Sequence, residues 1–375
     1  MFLDIPGWLL LPGLLIWLSV LLLPWQAWRN REQLDADPSL TFASDRVTVL
    51  IPARDEAGTI ATTLRALKAQ HERLRVILID DQSSDGTADL ARAAGLPGLR
   101  IINGQPLPGG WSGKLWALEQ GLGQVDTPLV LLLDADIELL PGILAALIDR
   151  LEQDEQDLVS LMARLRMKSP WERLLMPAFI YFFKLLYPFA LSNSGNRLIA
   201  AAAGGCILVK TARLRELGGF AAYREALIDD CALARQVKES GGRTWIGLSH
   251  AAVSLRPYDD LRSIWQMVAR TAYTQLHYSS GLLLLCTVLM AAAFPLPVAG
   301  LFAAAPGVRL IAGLSLLVMA GSYLPTLHYY RLRPWWCLGL PLTGLLYLLM
   351  TWSSALRYWR GEQSNWKGRS YQRDS

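Results

Sequence analysis

Two aspartates one residue apart, Asp134 and Asp136, follow at once on the apolar run Pro128-Leu-Val-Leu-Leu-Leu133. Such a run reads as a buried strand that delivers acids to the C-terminal edge of a sheet, where open α/β sheets bind their ligands. Two carboxylates at that spacing can hold a hard divalent cation together with the phosphates of a nucleotide. An exposed turn or a helix start would also explain the triplet, so its meaning rests on its company. Asp80 and Asp81 end a second apolar run that begins at Arg75. Acids at a sheet edge can accept the N–H of a base or bond a ribose, and Lys114, directly after Gly113, can meet phosphate as a point charge. Any one of these side chains is explicable as a solvated charge. Acids ending two strands at matched positions are harder to set aside.

The elements that must position them alternate short apolar strands with helical patterns, which marks residues 45 to about 260 as α/β. Val47-Thr-Val-Leu-Ile-Pro52 predicts a strand ending in the polar loop Ala53-Arg54-Asp55-Glu56, and Thr59–Gln70 a helix with Ile60, Leu64 and Leu67 on one face. Ser84, Asp85 and Thr87 suit the start of a helix over 87–93. A strand over 99–102 and a helix over about 114–123 lead to the strand that carries Asp134. Asp229 and Asp230 open a helical run, Cys231–Glu239, and suit its positive end as caps whatever else they do.

Two nucleotide motifs are excluded. No G-x-G-x-x-G follows the first strand. Gly113-Lys114 lacks the rest of a phosphate loop, because Pro108 stands where the first glycine is needed and Leu115 replaces the Ser or Thr that holds magnesium. The four cysteines are scattered with no C-x-x-C, so neither a disulfide frame nor a zinc site is indicated, and the four histidines show no ligand spacing. A net charge of +4 does not point to nucleic acid. Much of it flanks apolar segments, and the mean hydropathy of +0.26 with 18% charged residues is high for a soluble enzyme. The range from about Ile5 to Trp28 is long enough to span a bilayer, and Arg29 and Arg31 after it place the following domain in the cytoplasm. Further candidate spans lie near 281–303, 309–330 and 335–356. Three full spans would put a tail containing Arg357, Arg360, Lys367, Arg369 and Arg373 outside, against the positive-inside rule. That conflict suggests that 281–303, interrupted by Pro and Gly, is re-entrant or interfacial.

Five ordered blocks then give the chain a familiar appearance: Leu50-Ile-Pro-Ala-Arg-Asp-Glu56, Ile79-Asp-Asp-Gln-Ser-Ser-Asp-Gly-Thr87, Gly113-Lys114 with Ala117-Leu118, Leu133-Asp-Ala-Asp136, and Gly204-Gly205 followed by Asp229-Asp230. They resemble the family 2 glycosyltransferases of GT-A fold. The block Pro106–Leu118, with Trp366-Lys-Gly-Arg369, is similar to the bacterial hopanoid-biosynthesis-associated members. Carotenoid and ceramide glucosyltransferases carry similar blocks. The resemblance implies a Rossmann-like nucleotide-diphospho-sugar transferase domain over 45–258. The rest would be an N-terminal transmembrane anchor over 1–30, an amphipathic interfacial helix over 259–278, C-terminal transmembrane helices over 279–358 and a basic tail over 359–375. It implies a nucleotide-sugar pocket of Pro52, Ala53, Arg54 and Glu56, with Asp81 on the uracil and Lys114 and Asp134 nearby. Asp134 and Asp136 would hold Mn²⁺ or Mg²⁺. Asp230, assisted by Asp229, would be the base, although the family more often has Glu-Asp there. The expected partners are a UDP-sugar donor, a membrane lipid acceptor (a hopanoid or related isoprenoid) and the bilayer itself. The expected setting is the bacterial inner membrane, multi-pass, with the catalytic domain cytoplasmic. Transfer to a polyprenyl phosphate, and a catalytically dead scaffold that keeps only the fold, remain open alternatives.

Asp259–Gln275 reads as amphipathic, with Leu261, Ile264, Trp265 and Val268 on one stripe and Arg262, Gln266 and Arg270 on another. Processive relatives carry Gln-x-x-Arg-Trp at such a helix. Gln266 and Arg270 are close to that pattern and are candidate donor-site residues, but Thr271 replaces the tryptophan. Residues 170–191 are apolar and aromatic, broken by Pro177, Lys184 and Pro188, and predict an interfacial segment rather than a span.

Overall fold

The computed structural model describes residues 3–362, together with the paired backbone of Asn365–Trp366 and Arg369–Ser370. Most of the basic tail, Lys367 and Arg373 included, lies outside the described residues. The chain divides into two units, one of Glu32–Arg166 and Leu191–Pro257, the other of Met1–Arg31, Met167–Ala190 and Tyr258–Glu362.

The first unit is built on an eight-stranded sheet. Its strands are β1 (Val47–Ala53), β2 (Arg75–Asp80), β3 (Leu99–Asn103), β4 (Leu129–Leu133), β5 (Ile137–Leu139), β6 (Leu158–Arg164), β7 (Cys206–Lys210) and β8 (Thr244–Ser254). The order is β3-β2-β1-β4-β7-β6-β8-β5, with β3, β2, β1 and β4 parallel and β7 antiparallel to β4. The strands read as unbroken apolar runs because both faces are covered. Val49, Ile51, Leu78, Leu131 and Leu133 point into one core, beneath helices Ile60–Gln70 and Ile143–Gln153. Leu50, Ile77, Ile79, Val130 and Leu132 point into the other, beneath helices Gly113–Leu122 and Asp229–Glu239. Alternate residues thus serve opposite cores, as the strand period requires. The strands and helices predicted from 47 to 133 are present to within a residue or two. The unit begins at Glu32 rather than at 45. The segment 32–35 is fastened to β8 by Leu34 N–H to Leu248 O, Leu248 N–H to Glu32 O and His250 N–H to the Asp35 carboxylate. Leu34, Leu40 and Phe42 pack on the core.

The second unit is helical, and several expectations change here. The N-terminal apolar stretch forms only a 3-10 turn, Gly7–Leu9, and helix Leu11–Leu22. At about 1.5 Å per residue this helix is about 18 Å long, short of a hydrocarbon core of about 30 Å. Residues 170–186 form one continuous helix instead of a broken segment. Ser169 and Glu172 make a capping box at its start, Pro177 is accommodated, and Lys184 is buried with Arg29 O and Asn30 Oδ1 as acceptors. The amphipathic stretch divides into Leu261–Ala269 and Ala272–Gln275, so it is not one helix over 259–278. Among the described residues three helical stretches are long and apolar enough to cross a membrane: Ser280–Gly300, Pro306–Tyr329 and Pro334–Trp359. The first is interrupted at Phe294, before Pro295.

Candidate active site

Three strand ends of the first unit bring the acids together. The loop after β1 and the loop after β2 are laced by Asp81 N–H to Ala53 O (2.8 Å), Glu56 N–H to Thr87 Oγ1 (2.8 Å) and Ala57 N–H to Asp85 Oδ2 (2.9 Å). Asp55 and Gln82 both take positive φ (50° and 57°) to make the tight turns. Ser84, Asp85 and Thr87, read from the sequence as helix-start residues, also join the two loops, Ser84 by donating its N–H to Asp55 Oδ1. Arg54 lies across this seam, donating to Asp81 O at 2.6 Å and standing 3.8 Å from the buried Asp81 carboxylate.

The antiparallel register places Leu133 beside Cys206, so the end of β4 meets the start of β7, and Asp134 N–H donates to Gly205 O at 3.1 Å. Asp134, Ala135 and Asp136 bridge directly to β5, which pairs with the far end of β8. Ser112 caps helix Gly113–Leu122 by accepting from Leu115 N–H, and this sets Lys114 in its first turn. The Lys114 ammonium lies 3.0 Å from Asp134 Oδ1 and 3.2 Å from Asp229 Oδ2. Gly204 makes this approach possible. A Cβ there would stand 3.2 Å from Asp230 Oδ2 and 3.3 Å from Lys114 Nζ.

Burial opposes the charge on Lys114, but Asp134, Asp229 and Asp230 outweigh it and hold the ammonium well above the ordinary lysine value. Burial, then the neighbouring Asp229, pushes the Asp230 carboxyl up to about 6 against the partial relief of Lys114. Asp230 also accepts from Gly204 N–H and Cys231 N–H, both at 2.7 Å. Those two bonds aim it across the mouth of β7. A carboxylate held in this way and titrating near neutrality is suited to take a proton from a hydroxyl. Burial and Asp134 together push the Cys206 thiol to about 12, so it is no nucleophile.

Asp136 is paired differently. Arg256, two residues past β8, donates through Nε to Asp136 Oδ2 (2.6 Å) and through a terminal nitrogen to Glu56 Oε1 (2.9 Å). Pro52, Lys114, Asp134, Gly204, Tyr223, Asp229 and Asp230 line one cavity. Ala53, Arg54, Glu56, Asp81 and Asp136 lie on the loops at the same strand ends. Gln266 and Arg270 belong to the helical unit, within and at the C-cap of helix Leu261–Ala269. Sequence reasoning did not find Arg256 or Tyr223. Neither has a spacing signal, although Arg256 directly follows an apolar strand, as the acids do. The Tyr223 hydroxyl is buried with no hydrogen-bond partner among the described residues, and burial and the nearby acids push it well above the ordinary tyrosine value.

Asp134 and Asp136 are hard oxygen donors, and the site's acids outnumber Arg54, Lys114 and Arg256. That excess favours a cation. Among the described residues no group of three or more His, Cys, Asp or Glu is arranged to hold a metal. The donor set therefore fits a divalent ion held by one or two carboxylates and completed by phosphate and water oxygens.

Comparison with known proteins bears on this arrangement. Residues 48–218 match the model of Glycosyl transferase family 2. The chain is 33% identical over 96 residues to 4,4'-diaponeurosporenoate glycosyltransferase of Staphylococcus haemolyticus, covering 25% of this chain and 24% of the relative. It is 33% identical over 111 residues to the Staphylococcus aureus (strain USA300) protein of the same name, covering 30% and 29%. The matched part is thus about a quarter to a third of those relatives' length. Among solved structures, the mannosyltransferase PcManGT from Pyrobaculum calidifontis, in complex with GDP-Man and Mn²⁺, superimposes with a TM-score of 0.59 at 19% identity, over 95% of this chain and 99% of that one. The fold is GT-A, an α/β mixed sheet of Rossmann type.

Proposed function

We propose that the chain is a membrane-associated, inverting glycosyltransferase that moves a sugar from a UDP-sugar to the hydroxyl of a hopanoid or related isoprenoid lipid. The observation that carries this reading is the convergence of Lys114 on Asp134 and Asp229, with Asp230 at about 6 in the same cavity. The relatives named for diaponeurosporenoate and the neighbour holding GDP-Man and Mn²⁺ support a nucleotide-sugar donor. The three long apolar helices support an acceptor taken from a bilayer, and the setting in this reading is the bacterial inner membrane, with the catalytic domain cytoplasmic.

In this reading Asp81 and the Pro52–Glu56 loop hold the nucleoside. Asp134 and Asp136 hold Mn²⁺ or Mg²⁺, which when bound offsets charge on the departing diphosphate as a Lewis acid. Lys114 keeps its position on Asp229 and sets the charge of the floor. Asp230 takes the proton from the acceptor hydroxyl, so its oxygen attacks the anomeric carbon in one displacement and configuration inverts. Tyr223 offers its unpaired hydroxyl to a sugar oxygen.

The test is incubation of membranes that contain the full-length protein with radiolabelled UDP-glucose and a bacterial lipid extract. A labelled lipid stable to mild acid is the expected product. A product labile to mild acid would mean a phosphate-linked acceptor, and purified protein that binds no UDP with Mn²⁺ would leave only a scaffold.

A further inference from the structure

Of the two acids proposed to hold the cation, Asp134 and Asp136, the second is the less exposed and is paired with a guanidinium. Asp136 is 7% exposed, and its Oδ2 accepts from Arg256 Nε at 2.6 Å. The other arm of the same guanidinium reaches Glu56 Oε1 at 2.9 Å, on the loop that follows β1. Carboxylates shielded from water without a counter-charge are costly, and Arg256 is a counter-charge shared by these two. A divalent cation on the same carboxylate would be repelled by a guanidinium that remained there.

Lys114 poses no such obstacle at Asp134, because it keeps Asp229 at 3.2 Å if Asp134 turns away. Arg256 needs another anion before it leaves. A diphosphate is that anion, since the planar guanidinium matches phosphate oxygens with two parallel bonds. The Arg256 side chain is 36% exposed, so solvent and a dissolved anion reach it. Its backbone is fixed between Leu255, whose N–H donates to Asp136 O, and Pro257. The exchange is therefore a side-chain movement.

We propose that Arg256 couples the two ligands. It guards Asp136 while the nucleotide is absent, and it yields the acid to a divalent cation when a nucleoside diphosphate takes the guanidinium. This rests on the nucleotide-sugar reading above and adds an order to it, in which cation and nucleotide bind strongly only together. By linkage, each must then tighten the other by the same factor.

The experiment is a Mn²⁺ titration followed by electron paramagnetic resonance on full-length protein in detergent, with and without saturating UDP, for wild type, Arg256→Gln and Arg256→Lys. In wild type, UDP is expected to tighten Mn²⁺ by a factor of about 5–150, the usual span of such couplings. In Arg256→Gln, Mn²⁺ alone binds about tenfold tighter than in wild type, and the further gain from UDP falls to about threefold or less. Arg256→Lys, which keeps the charge but not the fork, changes both in the same direction by less, and it carries the test if the Gln variant melts early. Identical Mn²⁺ curves for wild type and both variants overturn the coupling while leaving UDP binding in place. Wild type that binds no Mn²⁺ with UDP overturns the coupling and the nucleotide-sugar reading together.

Discussion

The two units distribute the same residue types in opposite ways. In the sheet unit aliphatic side chains fill two cores, and acids gather at one rim, where they pair with Lys114 and Arg256. In the helical unit leucines face outward, Leu284 63%, Leu310 64% and Leu317 69% exposed, while Glu172 (0%) and Lys184 (1%) are inside. Glu172 is satisfied by Lys168, Ser169 and Tyr258 N–H groups. Tyr181 meets Ser322 and Trp17 Nε1–H donates to Ala293 O. An exterior of leucine over an interior of hydrogen-bonded polar groups is the arrangement a lipid environment selects, because polar atoms there must find partners within the protein. Water rewards the reverse. The contrast supports the proposed setting, with water at the acid rim and lipid around the helices.

The contrast can be broken or sharpened at named positions. The largest effect is expected at the rim. Asp230→Asn should lower kcat by about 10²–10⁴ while UDP binding with Mn²⁺ is unchanged, as steady-state kinetics and calorimetry on the same preparation will show. Wild-type turnover in that variant would move the base elsewhere. On the helical unit, Leu317→Asp should cost about 3 kcal/mol of membrane insertion at the middle of helix Pro306–Tyr329. The measurement is the fraction of protein that resists extraction of membranes at alkaline pH. If the variant is retained as well as wild type, the outward leucines do not face lipid.

A third effect is smaller and concerns acidity. Asp230 titrates near 6, above its ordinary 3.8, so the base is lost as pH falls through 6. A pH–rate profile should show kcat dropping about tenfold per unit below that value. The sign for stability is opposite. Because the folded state keeps this proton longer than the unfolded chain, the group's contribution to stability is fully present below about 3.8 and is lost as pH rises to about 6. Asp230→Asn should therefore flatten both the rate limb and that part of the stability curve. The smallest effect is expected for Tyr223→Phe, a severalfold rise in KM for the donor with kcat nearly unchanged, corresponding to one hydrogen bond of about 1 kcal/mol.

Much of the sheet unit was legible in the sequence because its strands are buried on both faces. Val47–Ala53, Arg75–Asp80 and Leu129–Leu133 are near-continuous apolar runs, and their ends are marked by the acids themselves. Asp81, Asp134 and Asp136 were visible for that reason. Arg256 was not, since it comes from the other end of the sheet and meets Asp136, 120 residues away, only through the pairing of β5 with β8. The helical unit was harder to read. Pro177 and Lys184 look like interruptions until Arg29 O and Asn30 accept from the lysine across 155 and 154 residues. The joining of 32–42 to the core follows from backbone bonds to β8 that no side-chain period announces. The end of the amphipathic helix at Ala269 likewise has no turn residue to mark it.

The three-residue bridge from β4 to β5 has one more implication. Its ends are clamped in ladders at Leu133 and Ile137, Asp134 O accepts from Ile137 N–H, and Asp136 O accepts from Leu255 N–H. Such a span has no slack to lengthen. A single inserted residue would throw the two acids out of step, whereas a changed side chain beside them leaves their backbone in register. Diversification of this acidic rim should therefore proceed by swapping its neighbours, Arg256 foremost, and never by resizing the bridge.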